Sequence, residues 1–438
     1  MNRNYQSWGR YPKSTSEIRK IHWRSDAYPC LKNNEKSFLP YGCGRSYGDS
    51  CLNDGGVLLD MRGLNRFINF DSQNGYFQCE AGVTLAEVMR LAVPKGWFLA
   101  VTPGTKYITI GGAIANDVHG KNQHNAGTFG CHVCRFELLR SDGQRLLCSL
   151  DENPEWFKAT IGGLGLTGVI LWAEFKLKRI QNPYIAEEFI VFSRIEDFFR
   201  LSDQSKSNYD YFASWLDCMN DQGHGVFFRG NHAQADEILS PKPAKEFKLP
   251  FPLQAPNFLL NRLTIKMFNS AYYNRHRLNP ARSIKHFYSF FYPLDAINNW
   301  NRMYGRNGFF QYQCVIPYEN DYQPFRLLLK TISDSGLASF LCVLKVFDDI
   351  PSPGLLSFPR KGVTLALDFP IRGRKTLNLL NKLDEITREN GGAIYPAKDA
   401  RMSPECFRHS FSQLSTFMKY VDPNFSSSFW RRVMGDVS

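Results

Sequence analysis

Two glycine-dense stretches constrain this chain more than any other feature. "YGCGRSYGDS", residues 41–50, sets Gly42, Gly44 and Gly48 among a serine, an arginine and an aspartate, and "TPGTKYITIGGAIANDVHGK", residues 102–121, is nearly as rich. Glycine reaches positive φ and lets a backbone approach a ligand with no Cβ in the way. Successive free N–H groups in such turns form nests that hold phosphate oxygens. One nest serves a mononucleotide phosphate. Two separated segments suit a long ligand carrying a pyrophosphate and a flat ring. The competing reading is a pair of tight turns in a β-rich domain.

At 438 residues the chain is long enough for two or three domains. Its 43% hydrophobic and 21% charged content is that of a globular protein. The start, "MNRNYQSWGRYPKS", has no apolar stretch of the signal-peptide kind, and no run approaches a membrane-spanning length. Eleven cysteines without regular spacing predict reduced thiols rather than a disulfide framework. The expectation is a cytoplasmic chain. The net charge of +12 is uneven: Phe247 to Leu294 holds no Asp or Glu, while Lys248, Arg262, Lys266, Arg275, Arg277, Arg282 and Lys285 lie there among large apolar residues. A solvated basic face, a nucleic-acid surface and a lipid-facing surface all fit that composition. Pro250, Pro252 and Pro256 predict a mobile loop, followed by a helix near "RLTIKMFNSAYYNRHR".

Along the chain, "GGVLLDM" and "YFQCEAG" predict strands. "TLAEVMRLAVPKG" predicts a helix capped by Thr84 with Glu87 three residues on, ended by Pro94. "CRFELLRSDGQRLLCS" predicts a hairpin turning at Asp142-Gly143. "NPEWFKATIGG" predicts a short helix, and "GVILWAEFKLKRI" a half-buried strand. From "FFQYQCVIP" to "AIYPA" the order is β-α-β-β-α-β, a ferredoxin-like series whose sheet carries helices on one face and can cover something with the other. Ser403-Pro404 predicts a last helix through about Lys419.

Two motifs are weaker than they look. Gly163, Gly165 and Gly168 satisfy G-x-G-x-x-G, but the motif follows a helix and opens a strand, the reverse of a Rossmann context. Cys131 and Cys134 form a lone C-x-x-C with no second ligand pair at suitable spacing, and the expectation is no metal.

The segments "GCGRSYGD", "TPGTKYITIGGAIANDVHGKN" and "IGGLGLTGVI" resemble the FAD-binding oxidoreductases of the vanillyl-alcohol oxidase type. The resemblance continues through "WGR", "FFYPLD", "QYQCVIP", "LALDFPI" and "YPAKDAR", which are similar to a branch of that family acting on polyprenylphosphoryl pentoses. It implies an α+β chain: a two-part FAD-binding domain, residues 1–178 completed by 393–438, and a substrate domain, residues 179–392, with a mainly antiparallel sheet covered by helices. It also implies that both glycine stretches wrap one FAD. The implied cofactor contacts begin with Pro40, Tyr41, Gly42, Cys43, Gly44, Arg45, Ser46, Tyr47, Gly48, Asp49 and Ser50. They continue through Gly104, Thr109, Ile110, Gly111, Gly112, Asn116, Asp117, Val118 and His119, and end with Ile170 and Tyr395. The FAD is expected to be non-covalent, because Ser46 and Tyr47 occupy the middle of the first loop and His119 resembles a histidine that touches FAD without bonding to it.

For the chemistry, the resemblance assigns Lys398 to the region where reduced flavin becomes anionic and to holding the reacting hydroxyl of the substrate, with His119 and Tyr47 beside it. Gln311 and Gln313 share one strand face and can meet one sugar ring. Lys345, inside the apolar strand "FLCVLKVF", needs an anion or water, and a substrate phosphate is the expected partner, with a structural salt bridge as the alternative. Tyr292 and Tyr47 resemble ring-lining residues. Ala366 stands where the resembling enzymes carry a cysteine. The implied activity is oxidation of the 2′-hydroxyl of a polyprenylphosphoryl ribose. A short-chain reductase would complete epimerisation to the arabinose form used in cell-wall polysaccharide. The acid-free segment then suits the inner face of the plasma membrane rather than nucleic acid. The other expectation on the same fold is an alditol, aldonolactone or related sugar oxidase.

Overall fold

In the computed structural model the chain is described for residues 5–31, 35–234, 249–251, 254–256, 260–279, 281–318 and 322–435. Phe247, Lys248 and Pro252 of the acid-free segment lie outside the described residues.

The N-terminal part holds two sheets. Strands Glu17–Lys20, Val57–Asp60 and Phe38–Tyr41 form a small parallel sheet with Val57–Asp60 in the middle. Behind it an antiparallel sheet runs in the order Phe67–Asp71, Tyr76–Glu80, Val169–Arg179, Val133–Leu139, Arg145–Ser149, with Trp97–Leu99 also on Val169–Arg179. The expected hairpin at Asp142-Gly143 is its edge. Helix Leu85–Ala92 begins as its sequence requires. Glu87 N–H donates to Thr84 Oγ1 at 3.3 Å, and the Glu87 carboxylate accepts from Thr84 N–H at 2.8 Å.

Residues 184–394 build one eight-stranded antiparallel sheet. Its order is Arg282–His286, Tyr184–Phe192, Gly225–His232, Tyr211–Leu216, Cys342–Phe347, Gly362–Pro370, Phe309–Ile316, Ala393–Ile394. The last four are the β-α-β-β-α-β series in ferredoxin-like order. Ala393–Ile394, from the expected last strand "AIYPA", closes this sheet against Cys314–Val315. Period-two alternation divides the two faces. Phe310, Tyr312, Cys314 and Ile316 join Leu344, Leu365 and Leu367 in a core beneath helices Ile195–Ser205, Gln323–Asp334 and Arg374–Glu389. Gln311, Gln313, Lys345 and Ala366 point the other way, toward the N-terminal part.

The C-terminal residues return to the first sheet. Phe38 N–H donates to Asn424 O at 2.8 Å, and Ser428 N–H to Leu52 O at 2.7 Å. The helix expected from Ser403 to about Lys419 is two helices, Pro404–Ser410 and Leu414–Met418. Phe411 breaks it: its backbone is extended, which buries its ring in the core beside Phe407. The helix Arg262–Leu278 forms as expected, opened by a box between Asn261 and Thr264. Pro250 lies in a two-residue strand, Leu249–Pro250, paired with Ile297–Asn298.

Arg432, on the last helix Ser428–Met434, donates to Asp49 at 2.7 Å and to Asp399 at 2.9 Å. Both carboxylates are nearly buried, so the arginine fixes the first glycine loop to the segment after the large sheet. Removing one member of such a group strands buried charge at a cost of about 3–5 kcal/mol. Arg432→Met is expected to lower unfolding stability by about that amount, read as a shifted urea midpoint with an unchanged slope.

Candidate active site

A cavity of about 440 Å³ lies between the N-terminal part and the polar face of the large sheet. Strand Phe38–Tyr41 delivers the first glycine loop to it through Pro40, Gly42, Cys43, Gly44, Arg45, Ser46, Tyr47 and Ser50. Gly44 needs to be glycine: its φ is +59°, and a Cβ would come within 2.5 Å of Gln6 O. The second loop brings Gly104, Thr109, Gly111, Gly112, Asn116, Val118 and His119. Thr109 caps the helix Ile110–Ala115, accepting from Gly112 N–H at 3.2 Å. A Cβ on Gly104 would meet nothing within 4 Å, and one on Gly112 would meet only Thr109 Oγ1 at 3.1 Å. At these two positions glycine leaves room in the cavity, not in the fold. Ile170 and Tyr395 complete the expected set of lining residues.

Five expected contacts are not brought to the cavity, because each side chain or backbone is engaged elsewhere. Tyr41 turns away to donate to Gln6 O at 2.8 Å. Gly48 packs so closely on Asp399 that a Cβ would lie 1.7 Å from its carbonyl oxygen. Asp49 pairs with Arg432, and Ile110 is fully buried in the N-terminal core. Asp117 accepts from Gly130 N–H at 2.8 Å and from the hydroxyls of Ser352 and Ser357. Tyr292, expected to line the sugar site, is a correction of the same kind. Its hydroxyl lies 2.6 Å from Thr102 Oγ1 inside the N-terminal core, leaving Phe291, Pro293 and Leu294 to reach the cavity.

Sequence reasoning missed other residues. Gly165 and Gly168, set aside with the rejected Rossmann motif, line the cavity with Leu164. They serve as positive-φ turns, at +76° and +140°, that open the strand Val169–Arg179. Lys121 also lines it, and the "HGK" wording was its signal. Asp368, buried beneath the cavity floor, was detectable for the same reason as Lys345, as a charge inside an apolar strand.

The electrostatics are those of a buried positive site. Lys398 Nζ stands 3.8 Å from the centroid of the Tyr47 ring, a cation–π contact. Burial pushes its pKa down, and the Asp368 carboxylate opposes that shift. Asp368 accepts from Gln311 Nε2 at 2.6 Å and from Tyr304 Oη at 3.3 Å, and burial raises its pKa. Lys345 Nζ lies 3.2 Å from His119 Nδ1 and 3.5 Å from Gly120 O, so its protein partners are neutral groups and not the carboxylate of a structural salt bridge. Its pKa falls to about 7 through burial, with Lys398 and Lys121 adding to the fall. Lys121 falls to about 8, chiefly by burial. His119 is held well below its ordinary value by burial and by Lys345 and Lys398. Tyr47, His119 and Lys398, expected to act together, do line one space.

The donor set fits a flavin nucleotide. Arg45 Nε and Ser50 Oγ are buried without a hydrogen-bond partner among the described residues, and both residues line the cavity beside the glycine loops. Buried donors of this kind are costly unless a ligand takes them, and phosphate oxygens would. Fold and site together define an FAD-binding oxidoreductase. A family model described as "FAD binding domain" matches residues 11–149. Decaprenylphosphoryl-beta-D-ribose oxidase of Mycolicibacterium smegmatis is 36% identical over 417 residues, covering 91% of this chain and 89% of that one. An uncharacterized Streptomyces coelicolor protein is 30% identical over 369 residues, 80% of this chain and all of its own. L-gulonolactone oxidase of Mus musculus is 27% identical over 160 residues, 36% of this chain and 34% of that enzyme. The chain belongs to the family of FAD-binding oxidoreductases that includes the Mycolicibacterium smegmatis enzyme, and FAD is its cofactor.

Two outcomes follow. Gly112→Val places a branched side chain in the space the flavin needs. The variant is expected to keep its far-ultraviolet dichroism and to purify colourless, against a yellow parent. The lysine shifts set the second. Between about pH 7 and 10 unfolded lysines (ordinary pKa near 10.4) keep protons that folded Lys345 has lost, so stability rises with pH there. The melting temperature of FAD-stripped protein is expected to rise from pH 7 to 9, with a smaller slope in Lys345→Met.

Proposed function

We propose that the chain oxidises the 2′-hydroxyl of a polyprenylphosphoryl-β-D-ribose to the 2′-keto sugar, the first half of an epimerisation to the arabinose form. The observation that carries this reading is a polarity gradient across one face of the large sheet. Gln311, Gln313, Lys345 and Thr364 occupy the strands next to the glycine loops. Farther along, the same face presents Val343, Ala213, Trp215 and Phe228, and the cavity there is closed by Tyr272 and Leu341. A ligand with a hydroxylated ring at one end and a hydrocarbon chain at the other matches that order. The activity for which the relative covering 91% of the chain is named supports the same substrate class.

FAD supplies the two-electron acceptor for such an oxidation. The protein's part is binding, orientation and charge. Gln311 is fixed by Asp368 and Gln313 by Thr364, so both amides are preset to meet sugar hydroxyls. Lys398, 3.8 Å from the centroid of the Tyr47 ring, would offer a positive charge to a bound flavin as it gains electrons. Lys121, at the edge between polar and apolar regions, is the cation for the phosphodiester. The FAD is held non-covalently, since both ring nitrogens of His119 are engaged by protein groups. The exposed residues Leu263, Met267 and Phe268 beside Arg262 and Lys266 support a peripheral position at the cytoplasmic face of the membrane. A short-chain reductase would take the keto sugar onward.

Anaerobic mixing with polyprenylphosphoryl ribose is expected to bleach the flavin, while gulonolactone and simple alditols leave it oxidised. Bleaching by the soluble compounds and not by the lipid would replace this substrate with that of a sugar-lactone oxidase. Acid precipitation is expected to leave the colour in the supernatant, and a yellow pellet would contradict non-covalent binding.

A further inference from the structure

An alcohol oxidation must also dispose of a proton, and the hydrogen bonds around His119 decide which group is ready for one. The assignment follows from donor counting. Thr364 Oγ1 gives its hydrogen to Cys314 O at 2.8 Å, so the group facing it from Gln313 at 3.2 Å must be a donor, the amide nitrogen. The same amide nitrogen lies 3.0 Å from His119 Nε2 and donates its other hydrogen there. His119 Nε2 is therefore an acceptor, and the one proton of the neutral ring sits on Nδ1. Nδ1–H points at Lys345 Nζ, 3.2 Å away. An ammonium at that position would set N–H against N–H. A free amine accepts the bond through its lone pair and offers its own hydrogens to Gly120 O at 3.5 Å.

We propose that Lys345 is kept as a free amine by the Gln313–His119 hydrogen-bond chain and is the group that takes the proton of the reacting hydroxyl. The proposal rests on the alcohol-oxidation reading given above. Bound FAD would supply the oxidant, accepting from the alcohol carbon a hydrogen with its electron pair. The O–H bond would break toward Lys345 Nζ, and its electrons would close the carbonyl. The balance is a ketone, two-electron-reduced cofactor and an ammonium on Lys345. Protonation sets the ammonium against Nδ1–H and breaks that bond, so the charged state is transient by construction.

The surroundings agree. The cationic groups facing Lys345 are Lys398, from the segment after the large sheet, and Lys121, two residues after His119. Both oppose a charge on it, and its pKa is pushed down to about 7. Asp368 on the adjacent strand opposes the fall in Lys398, and Asp348, beyond the end of the Lys345 strand, pairs with Lys206 at 3.5 Å. Phe347, Phe358 and Tyr395 surround the His119 ring, and the backbone of Gly120 is the other polar group beside it.

Two measurements on the holoenzyme test this. Nitrogen-15 NMR of histidine-labelled protein, with His119→Gln for assignment, is expected to show the Nδ1–H tautomer at pH 8. An Nε2–H tautomer or an imidazolium would overturn the proposal, and this readout needs no substrate. In anaerobic stopped flow with polyprenylphosphoryl ribose, wild-type flavin reduction should fall on the acid side of about pH 7. Lys345→Met should lose that limb and slow reduction by about 10²–10⁴-fold, with the substrate dissociation constant nearly unchanged. A variant that keeps the acid limb and loses only affinity would make Lys345 an anion-binding residue and sink the proposal. If wild-type enzyme is not bleached by the lipid, the substrate reading fails, while the tautomer result still judges the hydrogen-bond chain.

Discussion

The structure depends on positive charge held inside a cavity that water cannot fully solvate. Lys121, Lys345 and Lys398 converge on one space, and burial lowers the pKa of each. Such an arrangement is stable only if something negative arrives or if the cations give up protons. The proposed reaction offers both. Phosphate and reduced flavin would bring negative charge, and a lysine that has lost its proton would act as a base. The glycine loops, the Tyr47 ring under Lys398 and the amide pair Gln311 and Gln313 all take their meaning from that charge.

The two halves of the molecule meet at the same place. Asp117, which looked in the sequence like a cofactor contact, instead clasps Ser352 and Ser357 from the loop after the Lys345 strand. Gln123 adds a second tie, accepting from Asp348 N–H at 2.8 Å. These bonds hold the His119 loop against the large sheet, which is what lets a histidine from one half and a lysine from the other share a hydrogen. Arg432 does the equivalent work on the opposite side through Asp49 and Asp399.

Much of this was legible in the residues. The capping box at Thr84, the hairpin at Asp142-Gly143, the ferredoxin-like strand order and the glycine loops are local patterns, and local physics determines them. Period two put Gln311 and Gln313 on one face without further information. What sequence could not show is which of two neighbours points inward. Tyr292 and Phe291 are adjacent, and only the position of Thr102 decides that the tyrosine goes to the core. The break at Phe411 is likewise a tertiary choice, made by a core that has room for its ring. Gly165 and Gly168, present in the resembling segment "IGGLGLTGVI" but not expected as lining residues, were missed for another reason. The rule that excluded a Rossmann turn was sound, but a different fold uses the same residues to open a strand beside the ligand.

The central claim is that a buried cation at Lys398 governs the electronics of the site. The two-electron reduction potential of the bound flavin, measured for wild type and for Lys398→Met with FAD retained in both, tests it most directly. The account predicts a lower potential in the variant, because the charge that favours reduced flavin is gone. An unchanged potential would show that Lys398 merely fills space against Tyr47, and the electrostatic account would fail with it.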